Sequence, residues 1–160
     1  MALASLDRID RQILEILQAD NRIPNVSLAE RVGLSPPACS RRVARLREAG
    51  IIVRDVSIID PQKVGKAVKV VVAVSLAPRR KLTLEEFQRK MRERAEVQQC
   101  YMVAGSIDFF VVAVLADVES YAEFATDVFA SDNNVKSYES WFVLSHVKNE
   151  TKFPFEAIET

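Results

Sequence analysis

Residues 27–50, SLAERVGLSPPACSRRVARLREAG, hold two short helical patterns that meet at a tight break. The first places Leu28, Ala29 and Val32 on one face and stops at Gly33. Glycine accepts the left-handed backbone that ends a helix, so Gly33 is expected as a C-terminal cap. Ser35 is then expected as the N-cap of a second helix, with Pro36 where a missing N–H costs nothing. That helix should run from Pro36 to about Ala49 and end at Gly50. Cys39, Val43 and Leu46 fall at i, i+4 and i+7, a narrow apolar stripe. Ser40, Arg41, Ala44, Arg45 and Arg47 project elsewhere, and Ser35 to Arg47 holds four arginines and no acid. A short helix, a turn and a longer helix with a small, basic outer face is the grammar of a helix-turn-helix for double-stranded DNA. Arg41, Arg42 and Arg45 are expected to contact groove and phosphates, beside Ser40, with Ser35 and Pro37 near the backbone at the helix entrance. Arg42 lies closer to the buried stripe than the other two.

Upstream, LDRIDRQILEILQAD spaces Leu6, Ile9, Ile13, Ile16 and Leu17 as a helical stripe, capped by Ser5 or Asp7. It completes a three-helix core with Leu28, Val32, Val43 and Leu46. Downstream, the β-branched IIVRDVSIID reads as one or two short strands, a minimal wing. Asp60-Pro61-Gln62 and Gly65 break the pattern, so residues 1–60 form one domain and 61–160 a second.

The second domain alternates. Strands are expected at Ala67–Ala77, Val97–Ala104, Asp108–Leu115 and Val135–Val147. One helix is opened by a Thr83/Glu86 capping box, and another by Asp117. The order βαββαβ describes an α+β fold, a ferredoxin-like α/β sandwich with both helices on one face of an antiparallel sheet. Residues 67–77 and 108–115 are apolar on both faces, so the uncovered face calls for a second copy of the chain. No role is assigned to residues 148–160.

Charge is balanced, 22 basic residues against 22 acidic, with +1 in residues 1–60 and −1 in 61–160. Any affinity for DNA must therefore come from local placement and several copies. One histidine (His146), two distant cysteines and four glycines provide neither zinc spacing nor a glycine-rich phosphate loop. No enzyme, metal site or cofactor is expected. An RNA-binding sheet would need basic residues beside Phe109 and Phe110, and residues 111–115 have none. No stretch is apolar for long enough to span a bilayer, and Met1 to Leu6 is too short for a signal peptide. Free Cys39 and Cys100 suit a reducing compartment.

Residues 6–52 and the stretch VQQCYMVAGSIDFF (97–110), with its Gly-x-x-Asp-aromatic turn, together resemble the Lrp/AsnC family of bacterial and archaeal regulators. The resemblance spans nearly the whole chain. It implies a winged helix-turn-helix joined by a strand linker to a sensor domain. It also implies homodimers assembling into octamers, a cytoplasmic and nucleoid-associated location, and DNA binding or assembly modulated by an amino-acid effector. By position, the effector cleft takes Met102, Val103, Gly105, Ser106 and Asp108, with Tyr138 and Ser140 from a neighbouring strand. Chemically, Gly105 admits close backbone approach, Ser106 donates, Asp108 accepts from an ammonium and Met102 adapts to an apolar side chain. Asp108 bonding only its own backbone is the plainer alternative, and an architectural DNA-binding protein without a ligand is the alternative function. Phe109 stands where the family most often has tyrosine, and Ser40-Arg41 replaces a commoner Leu-Glu.

Overall fold

The computed structural model describes residues 6–155, so Ser5 as a cap lies outside the described residues. They divide into two units, residues 6–58 with 148–155, and residues 59–147. The first holds α1 (Arg8–Ala19), α2 (Asn25–Val32) and α3 (Pro36–Glu48). Asp7 caps α1 in a reciprocal box. Its carboxylate accepts the Asp10 N–H at 2.8 Å, and its own N–H donates to the Asp10 carboxylate at 3.3 Å. Gly33 ends α2 with φ 68°, as its freedom from a Cβ allows. Ser35 is the N-cap of α3, but its hydroxyl makes no capping bond. Pro37 explains this in part, because a proline at the second helical position removes one of the two N–H groups that an N-cap oxygen would accept. Ile13, Leu14, Leu28, Ala29, Val32, Cys39 and Leu46 form the core, with Val43 packed against it half-buried.

One expectation fails in this unit. Residues 51–60 form no strand, and Val53 and Ile58 are 83% and 81% exposed. β-branched residues favour a strand only where a neighbour supplies the ladder, and none is present among the described residues. The tail from Lys148, to which the sequence assigns no role, groups with the first unit. There the Gln18 side-chain amide makes reciprocal bonds to the Phe153 backbone, donating at 3.1 Å and accepting at 2.7 Å. Phe155 packs against the helical core.

The second unit follows the order β1 (Val68–Leu76), α4 (Lys81–Glu93), β2 (Val97–Met102), β3 (Phe109–Leu115), α5 (Val118–Ala125) and β4 (Val135–Phe142). A wider π turn over Thr126–Ala130 prolongs α5. The sheet is antiparallel in the order β2-β3-β1-β4. Val70, Val72 and Val74 on β1 and Phe109, Val111 and Ala113 on β3 are wholly buried on one face. Phe87 and Met91 of α4 cover that face, with Tyr121, Phe124, Val128 and Phe129 from α5 and its extension. Asp117 caps α5 by accepting the Ser120 N–H at 2.7 Å, which holds its carboxyl below the usual range. The Thr83/Glu86 box does not form. Helix α4 starts earlier, after Arg80, and leaves Thr83 buried inside its first turn. The last strand ends at Phe142 rather than Val147.

Candidate DNA-recognition face and effector turn

Helix α3 turns Cys39 and Leu46 inward and leaves Pro37, Ser40, Arg41, Ala44, Arg45 and Glu48 on the outside. Ser35 is exposed at its entrance. The arginines are not equivalent. Arg42 donates to Asp7 at 2.5 Å and to Asp10 at 2.9 Å, and Arg45 also pairs with Asp10. Asp10 is 1% exposed, so its charge is removed from water and balanced by these two guanidinium groups. The Arg42 hydrogen bond, helped by the Asp10 N–H, holds the Asp7 carboxyl below the usual carboxylate range, and Asp7 in turn raises Arg42. Arg47 pairs with Asp55 at 2.6 Å. Arg41 alone among the four makes no ion pair with the described residues. Of the arginines expected to contact DNA, then, one is free and two already serve the packing of α3 on α1.

The Gly105–Asp108 turn joins β2 to β3, and its ends are closed by the Val103 N–H donating to the Asp108 carbonyl at 2.9 Å. Asp108 is 7% exposed with both carboxylate oxygens engaged. One accepts the Leu76 N–H at 2.7 Å, and the other forms an ion pair with Arg79 Nε at 2.8 Å. The same guanidinium donates to the carbonyls of Gly105 and Ser106 at 3.3 and 3.2 Å. Asp108 therefore ties the turn to the end of β1, and an ammonium would meet it only in competition with Arg79. A Cβ at Gly105 would meet nothing within 4 Å, so this chain's own backbone does not require glycine there.

Met102 is 60% exposed and borders a groove of about 390 Å³ between α4 and β2, together with Gln88, Met91, Arg92, Cys100 and Phe109. Burial raises the Cys100 thiol in that groove. Val103 is half-buried. Tyr138 and Ser140 lie opposite Val74 and Val72, on the helix-covered face. Tyr138 stacks on Phe129 at 5.2 Å, and the Ser140 hydroxyl bonds that of Tyr121, whose own ionisation burial pushes upward. A second cavity, of about 590 Å³, meets the turn at Ser106 and is otherwise lined by Ser75, Leu76, Ala77, Arg79, Lys136 and Ser137. Sequence reasoning singled out only Ser106 of these. The basic run Arg79-Arg80-Lys81 was the one local hint.

Residues 6–53 match the winged helix-turn-helix DNA-binding family, and residues 69–153 match the Lrp/AsnC ligand binding domain. The chain belongs to the Lrp/AsnC family. It is 34% identical to the transcriptional regulator AzlB of Bacillus subtilis, over 94% of this chain and 96% of that protein. Identity to the leucine-responsive regulatory protein of Escherichia coli is 32%, over 92% of this chain and 90% of that one. Among solved structures, the Neisseria meningitidis regulator NMB0573 in complex with L-Met superposes with a TM-score of 0.89 at 33% identity, covering 94% of this chain and 97% of that one. As an Lrp/AsnC member this chain is a transcriptional regulator, with a DNA-binding domain and an effector-binding one. Among its described residues no helix is long and apolar enough to cross a membrane.

Proposed function

We propose that the outer face of α3 docks in the major groove, with Arg41 as its principal base- or phosphate-reading side chain. Ser40, Ser35 and Pro37 lie beside the backbone, while Arg42 and Arg45 act mainly by fixing α3 on α1. The observation that carries this is the unpaired Arg41 on an exposed, acid-free helical turn. The region of the 102–108 turn receives an amino acid, and occupancy shifts DNA affinity or assembly. The L-Met complex of the Neisseria relative supports that class of effector.

The protein works as a homodimer that assembles further to octamers, in the cytoplasm and on the nucleoid, and is not an enzyme. The uncovered sheet face supports the dimer. Two rows run across the four strands, Tyr101, Phe110, Ala73 and Glu139, and Gln99, Val112, Val71 and Trp141, apolar at their centre with one polar residue at an edge of each, and Trp141 is 45% exposed. Tyr138 and Ser140, the residues expected from a neighbouring strand, reach the effector cleft only by giving up their contacts with Phe129 and Tyr121. The test is DNA affinity, on duplexes selected from a random pool, with and without each of the twenty amino acids. One of them should change affinity by about 5–150-fold. No change in affinity or in oligomer size with any of them would leave a DNA-binding protein without an effector.

A further inference from the structure

The pairing of β4 with β1 shifts register between Ser75 and Leu76. Ser75 lies opposite Ser137, while Leu76 lies opposite Val135. Lys136 is therefore the extra residue of a β-bulge. Bulges break the strict alternation of side chains and re-aim one of them. Here the consequence is visible in the cavity at the sheet end, where the consecutive residues Lys136 and Ser137 both form the wall, facing Ser75, Ser106 and Arg79.

We propose that this cavity is a carboxylate site. Its lining carries two cations, three hydroxyls and no acidic side chain. Asp108, at the end of the turn, spends its oxygens on the Leu76 N–H and on Arg79, and Glu139, two residues along β4 from Ser137, does not line the cavity. The Arg79 guanidinium is held in place by Asp108 and the carbonyls of Gly105 and Ser106, through Nε and one terminal nitrogen, leaving the other terminal nitrogen free to donate. Lys136 is exposed and makes no ion pair among the described residues. Ser75 already donates toward the Ser106 carbonyl at 3.5 Å, which leaves the Ser106 and Ser137 hydroxyls as neutral donors. A carboxylate entering between Lys136 and the free edge of Arg79 gains two charge-assisted contacts, and the fixed guanidinium pays little entropy to make its own. This assignment rests on the amino-acid reading above and deepens it. The effector's carboxylate faces Arg79 and Lys136, and its side chain is directed away from them.

The probe is acetate, observed by saturation transfer from the full-length protein, with the twenty amino acids and their carboxamides as competitors. Wild type should saturate the acetate methyl, and Lys136→Met should weaken acetate binding about tenfold, the ordinary worth of one charge-assisted hydrogen bond. Lys63→Met, at an exposed lysine that does not line the cavity, should leave it unchanged. An effector amino acid should displace acetate, and its carboxamide should not. If acetate binding depends on Lys136 but no amino acid displaces it, the carboxylate site stands and the amino-acid reading falls. Equal acetate binding by wild type and Lys136→Met, or displacement by acid and carboxamide alike, overturns the site.

Discussion

The two units place their candidate functional residues in opposite ways. On α3 the outward residues are neighbours in sequence, repeated at helical spacing, and one element presents them all. At the sheet end of the second unit, Ser75, Arg79, Ser106, Lys136 and Ser137 come from three separate stretches, brought together by strand pairing and a bulge. Yet both units use the same device, an arginine held by an aspartate that is itself nearly buried. Asp10 holds Arg42 and Arg45, and Asp108 holds Arg79. Charge in a sequence motif is thus a poor guide to charge on offer. What decides is whether an acid from another element has already taken it.

The comparison breaks first at the sheet. Phe109 is fully buried, with its ring 4.7 Å from that of Phe87, directly beyond the Asp108 turn. Phe109→Ala should cost about 3–5 kcal/mol in urea unfolding of the second unit and leave the first unit's transition in place. Asp10→Ala should do the converse, destabilising the helical unit by roughly 2–3 kcal/mol because two arginines lose a buried partner. A shift of both transitions together by either variant would show that the two cores are not independent.

A smaller effect sharpens the point about paired charge. Asp7 has its carboxyl pulled below the usual range by Arg42, so its contribution is full above that range and is lost as pH falls through it toward the lowered folded value. Comparing wild type with Asp7→Asn from about pH 6 to about pH 3, the stability advantage of wild type should shrink on acidification. Asp7 is half-exposed, and salt should diminish the same advantage.

How much was legible follows from the range of the interactions. The Asp7 and Asp117 caps, the Gly33 stop, the 105–108 turn and the βαββαβ order all rest on contacts within a few residues or on a repeating period, and all appear in the structure. The Asp10–Arg42 and Asp108–Arg79 pairs join residues about thirty apart, where no period reports them. The bulge at Lys136 depends on how β1 and β4 align, which neither strand encodes alone. The strands expected in residues 51–60 failed for a related reason. Their composition suits a sheet, but among the described residues no second strand lies beside them.

Arg41 is the one arginine of α3 that makes no ion pair among the described residues. Wild type, Arg41→Ala and Arg42→Ala should be titrated with a duplex selected from a random pool at several salt concentrations, with each variant's unfolding midpoint measured alongside. Arg41→Ala is predicted to lose about 1–3 kcal/mol of DNA affinity at unchanged stability. If Arg41 reads a phosphate, the salt dependence should also flatten. Arg42→Ala is predicted to lower stability first, with a smaller direct effect on affinity. The reverse ranking, with Arg41→Ala silent and Arg42→Ala losing DNA affinity at full stability, would contradict the account.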